Sequence, residues 1–473
     1  MGIKVSKVKH TVSLDTMVER SSLTNQEISI HKAYKFGKII GAGNFGVVRE
    51  AFPTDSLIKV AIKAISKGMK GFDIKKASRE VAILKSIDHP NIIRFNEAYE
   101  DDRNIFIVSE HCQGGHLWKK MITQRKLTEI EAQIYINQML LAINYLHLHK
   151  IVHRDIKPEN FLFVSPDHNE LKLIDFGFAK KYNKFSSMRK CLGTSYYMAP
   201  EVLKGNYNQK CDEWGIGVIM YTMLCGELPF YSKDLHTAFE QIKKGAFCTT
   251  SENWDQISLE GKDLIGKLLS VNPSKRISAK KALNHPWFRT MTNSDPLVDG
   301  SLISSFQEYC KSSVFHKEIL NMMIKYMTFS EIREINQLFL NFDKEKKGEI
   351  SIKSFTRFLQ SSLTSISIDT IKNLLKEIDT DKDGIINYTE FLAAAVSSIH
   401  QFTQDEIWFI FDQFDSERKG FITPNDIRRT LQRSGCTIEK DIESKLLKDI
   451  GRKNIAKIDF KGFLDIFTNG WRN

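Results

Sequence analysis

The sequence predicts a mixed α/β front region, a connector, and an all-α rear region built from repeats. Three observations carry this prediction. From Tyr34 to about Ile65, apolar runs broken by glycines, with β-branched Val47, Val48, Val60 and Ile62, read as strands. Helical periodicity sets in after Gly71 and dominates from Leu117 onward. Beyond about residue 300 the chain is almost wholly helical, and acidic, glycine-containing segments near 343, 379, 415 and 451 recur every 36 residues.

The chain has 473 residues, about three domains' worth. With 42% hydrophobic and 26% charged residues it has the balance of a folded soluble protein and not of a disordered one. The net charge of +11 and pI near 9.0 favour anionic partners; nucleic acid has no support beyond that charge, and a monomer without nucleic acid is expected. The uncharged stretch Trp214 to Gly226 is too short to span a bilayer. No apolar signal segment stands near Met1, which argues against secretion. Seven cysteines without paired spacing read as reduced thiols, so a cytoplasmic protein is expected and the sequon Asn387-Tyr388-Thr389 is read as unused.

Residues 1–33 are polar with isolated apolar residues and read as a flexible arm. The first chemical signal follows: Gly41, Ala42, Gly43, Asn44, Phe45, Gly46, Val47 and Val48, glycines spaced to let backbone amides approach phosphate oxygens. Alone, this loop reads equally well as a flexible hairpin. A second strand after it, where a dinucleotide fingerprint needs a helix, argues against that motif. Val60-Ala61-Ile62-Lys63 then places a lysine on an apolar strand, with Glu80 on a helical segment as its candidate ion-pair partner. The third signal is long: His153-Arg154-Asp155-Ile156-Lys157-Pro158-Glu159-Asn160, then Asp175-Phe176-Gly177, then Ala199-Pro200-Glu201.

With these motifs in this order, residues 34–288 resemble the eukaryotic protein kinases. The resemblance implies a two-lobed α+β domain that transfers a phosphoryl group from ATP to Ser or Thr of protein substrates, with Mg2+ as cofactor. It implies that Asp155 receives the substrate hydroxyl proton, Asn160 and Asp175 hold magnesium, Lys63 held by Glu80 anchors phosphates, and Lys157 steadies the transferred group. Ala61, Ser109, Glu110, Cys112 and Glu159 join the Gly41–Val48 loop around the nucleotide by the same resemblance. Asp212, Trp214 and Gly217 match the helix supporting the catalytic segment, and Arg276 matches the partner of Glu201. Arg154 marks kinases whose activation segment is ordered by phosphorylation, with Ser186 and Ser187 as candidate sites and Thr194 in the substrate turn. Two departures stand out. Ser109 occupies a position usually bulkier, which opens a pocket behind the adenine. His116 replaces a glutamate that reads ribose and a basic substrate residue, which puts an arginine preference in doubt.

Asp379-Thr380-Asp381-Lys382-Asp383-Gly384-Ile385-Ile386-Asn387-Tyr388-Thr389-Glu390 fits the twelve-residue EF-hand loop at every position. Asp379, Asp381, Asp383, Asn387 and Glu390 offer side-chain oxygens to Ca2+, and Ile385 its carbonyl. The other loops fit less well. Lys347 and Lys419 sit at the fifth position, where an ammonium repels a divalent cation, and Ser354 and Asp426 replace the last glutamate. The loop at 343–354 is not expected to bind calcium, that at 415–426 is read as weak and that at 451–462 as a remnant. Packing is their expected role, with Ile350 and Ile422 pairing with Ile386 and Ile458.

The whole chain resembles the calcium-dependent protein kinases: a kinase domain followed by an all-α EF-hand (calmodulin-like) domain of two paired lobes, residues 329–473. The resemblance implies that the 289–328 connector is an inhibitory partner of the cleft, freed by calcium. Phe306, Cys310, Ile319, Leu320, Met323 and Met327 lie near helical spacing there, which suits a packed helix equally. At the start, Met1-Gly2-Ile3-Lys4-Val5-Ser6 matches the myristoylation pattern at Gly2. With Lys4, Lys7 and Lys9 as a second signal, reversible peripheral membrane contact is expected. The alternative is a calcium-independent Ser/Thr kinase whose EF-hand region is a scaffold; a calcium-binding protein with an inert kinase fold is opposed by intact Lys63, Asp155 and Asp175.

Overall fold

The computed structural model describes residues 29–43, 46–54, 56, 58–182, 188, 195–291, 300–362, 367–380, 382–433 and 457–469. Residues 1–28 of the arm, with Gly2, the loop residues Asn44 and Phe45, Ser186, Ser187, Thr194, Asp381 and half of the fourth repeat loop lie outside them, while the end of the arm, read as flexible, forms the short helix Ile30–Ala33 with Ile30 buried.

The front region has two lobes. Five antiparallel strands, β1 (Tyr34–Gly43), β2 (Gly46–Pro53), β3 (Val60–Ser66), β4 (Phe95–Glu100) and β5 (Asn104–Glu110), pair in the order β1-β2-β3-β5-β4. Helix Ile74–Lys85 packs on this sheet, started by Asp73, whose carboxylate accepts from Lys75 N–H. The larger lobe is helical. Its Glu129–Leu148 helix opens with a capping box of Thr128 and Glu131. The uncharged stretch found in the sequence lies in helix Lys210–Cys225, buried from Cys211 to Cys225. There Gly215 lets the helix lie flush with the catalytic segment: a Cβ would stand 2.8 Å from Ile156 Cβ.

The rear region is helical throughout its described length, with two-residue strands between paired loops. Ile350 pairs with Ile386 and Ile422 with Ile458, the pairings the repeat spacing predicts. The connector forms two helices, Gly300–Lys311 and Val314–Tyr326. Phe306, Ile319, Leu320, Met323 and Met327 are buried in one core with Phe339, Phe355 and Phe391 of the repeats, and Cys310 packs at its edge. The connector is thus a packed core element, as its helical spacing allowed, and among the described residues none of it lines the cleft between the front lobes. No helix of the described residues is long and apolar enough to cross a membrane.

Candidate functional site

The cleft between the front lobes encloses about 840 Å³. Strand pairing places Lys63 on β3 beside Val48 of β2 and Ile107 of β5, pointing its ammonium into that cleft. Lys63 Nζ lies 2.7 Å from Glu80 Oε1, on helix Ile74–Lys85, and 2.9 Å from Asp175 Oδ1. Burial opposes the charge on Lys63, but the two carboxylates outweigh it and hold its pKa above the ordinary ammonium value. Burial likewise opposes the Asp175 charge, and Lys63 outweighs it, holding that carboxyl below its usual range. Asp175 takes φ +61°, a costly conformation for a residue with a Cβ, which aims its carboxylate at Lys63.

Opposite Lys63, Asp155 Oδ2 accepts from Lys157 Nζ at 2.7 Å and Asn160 Nδ2 at 3.0 Å. Asn160 Nδ2 also donates to the Asp155 carbonyl at 2.7 Å, which closes this turn on itself. The backbone beneath is held by Asp212, whose carboxylate accepts from the His153 and Arg154 amides, each at 2.9 Å. His147 Nε2 in turn meets Asp212 Oδ2 at 2.9 Å, and its Nδ1 lies 3.4 Å from Glu213. Burial opposes charge on this imidazole, yet Glu213 and Asp212 raise its pKa to about 9. Glu201 and Arg276 form a bidentate buried pair at 2.6 and 2.9 Å, with the guanidinium stacked 5.0 Å from the Trp214 ring centroid.

Of the described residues around the nucleotide, Gly41, Ala42, Gly43, Gly46, Val48, Ala61, Ser109, Glu110, Cys112 and Glu159 line this one cleft, while Val47 of the loop faces outward. Gly46 is required by shape, because at φ +137° a Cβ would fall 2.1 Å from the Ala64 carbonyl oxygen. His116 Nδ1 bonds the Glu159 carbonyl at 2.8 Å at the cleft mouth. Burial raises the Cys112 thiol pKa, so it stays protonated. Ile93, Leu162 and Ile174 complete an apolar floor that no motif signalled. The sequence reading also missed the side-chain role of Glu110: it pairs with Lys172 at 2.8 Å and lies 3.7 Å from Arg94, whose Nη2 donates to the Met327 carbonyl at 2.8 Å. The only trace of this network in sequence is an acidic residue at the end of an apolar strand.

In the rear region, three loops share one turn. Asp343, Asp379 and Asp415 each accept from the amides of the fifth and sixth loop residues, and Gly348, Gly384 and Gly420 lie at φ +76°, +86° and +80°. The 379–390 loop has donors that suit calcium: Asp379, Asp383, Asn387 and Glu390 with hard oxygens around the Gly384 turn. Glu390 Oε1 accepts from Thr380 N–H at 2.8 Å and Oε2 from Asn387 N–H at 3.1 Å. Among the described residues no three acidic, histidine or cysteine side chains are gathered about one point, Asp381 being outside them. Thr389 N–H donates to Asp88 Oδ2 at 2.7 Å, across to the front domain.

The lysines at the fifth position behave differently from the expected simple repulsion. Lys419 Nζ lies 3.0 and 2.9 Å from the two Asp426 oxygens and 3.5 Å from Glu417. Those carboxylates hold the third and twelfth loop positions, so the ammonium stands where an ion would bridge them. Lys347 pairs with Glu345, and Ser354 Oγ donates to Glu345 at 3.0 Å. Burial lifts Asp343 in the same loop to about 7.

Residues 34–288 match the protein kinase domain and residues 332–396 match the EF-hand domain pair. Calcium-dependent protein kinase 3 of Plasmodium yoelii yoelii is 37% identical over 313 residues, covering 65% of this chain and 58% of the relative. Calcium-dependent protein kinase 5 of Plasmodium berghei is 34% identical over 355 residues, 72% of this chain and 63% of the relative. Calcium-dependent protein kinase 31 of Arabidopsis thaliana is 35% identical over 336 residues, 69% of each. The match thus spans less than two thirds of the length of these parasite relatives.

Proposed function

Because the chain belongs to the calcium-dependent protein kinases, we propose that it transfers the γ-phosphoryl group of ATP to serine or threonine of proteins under calcium control. The observation that carries this reading is Lys63 held between Glu80 and Asp175, facing Asp155, Lys157 and Asn160 across one cleft. Phosphoryl transfer needs positioning and charge neutralisation more than covalent help. Lys63, kept charged by its two carboxylates, binds the α and β phosphates. Asp155, oriented by Asn160 and Lys157, receives the substrate hydroxyl proton as the new O–P bond forms and the bond to ADP breaks. Lys157 then lies beside the transferred group. Asn160 and Asp175 fit magnesium as hard oxygen donors at the cleft floor, and that ion supplies charge screening of the phosphates. Roles for Ser109 and His116 follow from their places in the cleft: Ser109 leaves space behind the adenine, and His116 removes an acidic contact for basic substrate residues.

Calcium control rests on the 379–390 loop. Glu390, whose oxygens accept from Thr380 and Asn387, would turn toward an ion within the same short segment that carries the Thr389 contact with Asp88. The connector, packed in the helical core, is the inhibitory element of this reading. Acylation of Gly2 would add a peripheral membrane contact that places the enzyme at a surface.

The test is phosphotransfer by the whole chain to a serine peptide, at fixed magnesium, with free calcium raised from chelator to about 100 µM. A rise from near zero is expected, and its loss in Glu390→Gln. A flat, high rate overturns calcium control and leaves the scaffold reading, which the lysine-bridged loops favour. No transfer by the wild type, or equal transfer by Asp175→Ala, overturns the kinase reading.

A further inference from the structure

The 343–354 loop holds the front domain more closely than a lost metal site requires. Asn144 Nδ2 donates to the Lys346 carbonyl at 2.6 Å, and Lys346 Nζ donates to the Leu283 carbonyl at 2.6 Å. His149 Nε2 lies 3.6 Å from Glu349. Gly348 presses on the front domain, where a Cβ would stand 2.3 Å from His89 Cδ2 and 2.7 Å from Tyr145 Cδ2. Leu340, in the helix Phe329–Phe342 that leads into the loop, packs on the front-domain core. Asn144, Tyr145 and His149 lie at the end of helix Glu129–Leu148, which also carries the His147 that braces Asp212.

This loop needs no ion to keep its turn. The Asp343 oxygens accept from the Lys347 and Gly348 amides at 2.9 and 2.6 Å, and the Lys347 ammonium already faces Glu345. Its neighbour at 379–390 carries carboxylates without a lysine among the ligand positions and reaches a different place, Asp88, in the segment that follows the helix bearing Glu80. The two loops are tied by the short Ile350–Ile386 pairing.

We propose that the 343–354 loop is a calcium-insensitive anchor that fixes the helical region to the larger kinase lobe, so that calcium at the 379–390 loop acts on the Asp88 segment from a fixed point. This rests on the calcium-regulated reading above. Two loops in one pair cannot both move freely and still transmit force; one of them bonded to the large lobe supplies the reference against which the other shifts. The contact surface is chemically specific, since two backbone carbonyls are read by an amide and an ammonium, and glycine alone fits against His89 and Tyr145.

Amide hydrogen exchange on the full chain, in chelator and in saturating calcium, tests this directly. Equal protection of residues 346–349 and 141–149 in both conditions is expected, with calcium-dependent change at 380–390 and 86–89. A calcium-dependent change at 346–349 as large as that at 380–390 overturns the anchor. In the variant Asn144→Ala/Lys346→Ala, protection at 346–349 falls and calcium affinity by calorimetry stays within about threefold, while the activation ratio drops about tenfold, the equivalent of two ordinary hydrogen bonds. An unchanged activation ratio with loosened exchange overturns the anchor. Static protection at 346–349 in a wild type that calcium does not activate supports the anchor and overturns the regulatory reading instead.

Discussion

His147 gives the front domain a pH dependence that can be worked out from its two carboxylate neighbours. Its imidazole stands 2.9 Å from Asp212 and 3.4 Å from Glu213, and its pKa is raised from 6.5 to about 9. A base whose folded pKa lies above its unfolded value stabilises fully below pH 6.5 and loses that contribution as pH rises through about 9. A shift of that size corresponds to about 3 kcal/mol. For a domain of this class it is worth about 6 to 12 °C in Tm. The assay is urea unfolding at about pH 6 and about pH 9.5 for the wild type and for His147→Gln. The wild type should lose about 3 kcal/mol more than the variant between those pH values. Phosphotransfer should decline over the same window in the wild type, because Asp212 holds the His153 and Arg154 amides under Asp155. Equal losses in the two proteins would refute the reasoning and show that His147 is neutral at its place between Asp212 and Glu213.

Three further outcomes are expected. Arg276→Met strands Glu201 in the core and should cost about 3–5 kcal/mol in urea unfolding, with Glu201→Gln added recovering part of it; no loss in the single variant contradicts the burial argument. Ser109→Met should abolish inhibition by bulky-substituted ATP mimics and spare activity, and equal inhibition of both forms removes the pocket from the account. Lys419→Asp with Asp426→Glu should strengthen calcium binding by the 415–426 loop in calorimetry; an unchanged titration means that the lysine is not what weakens that loop.

Much of the catalytic site was legible because its motifs are local and ordered: Gly41–Gly46, Lys63, Asp155–Asn160 and Asp175 identify themselves by neighbours along the chain. The 379–390 loop was legible for the same reason, and the Ile350–Ile386 pairing followed from the repeat period. What stayed hidden depends on residues far apart in sequence. The connector could not be placed, since Phe306, Ile319 and Met323 show the same apolar spacing whether a helix plugs a cleft or fills a core. The Lys419 ammonium reads as a fault in a list of ligand positions and becomes a bridge only when Asp426 and Glu417 are seen on either side of it. The grip of the 343–354 loop on Asn144 and Leu283 joins positions with no sequence relationship.

The Lys419 bridge also has a consequence for the shape of the dose–response curve. A cation borne on a side chain is never diluted, so it cannot be stripped by a chelator or restored by a calcium pulse. The Lys347 ammonium faces Glu345, and that of Lys419 faces Glu417 and Asp426, so on the calcium-controlled reading proposed above 379–390 is the described loop left to respond. A single independent site passes from one tenth to nine tenths occupied over about an 80-fold range of free ion, with a Hill coefficient of about one. On the calcium-controlled reading proposed above, the enzyme would then act as a graded dial and not as a trigger, reporting how large a signal is rather than whether one has occurred.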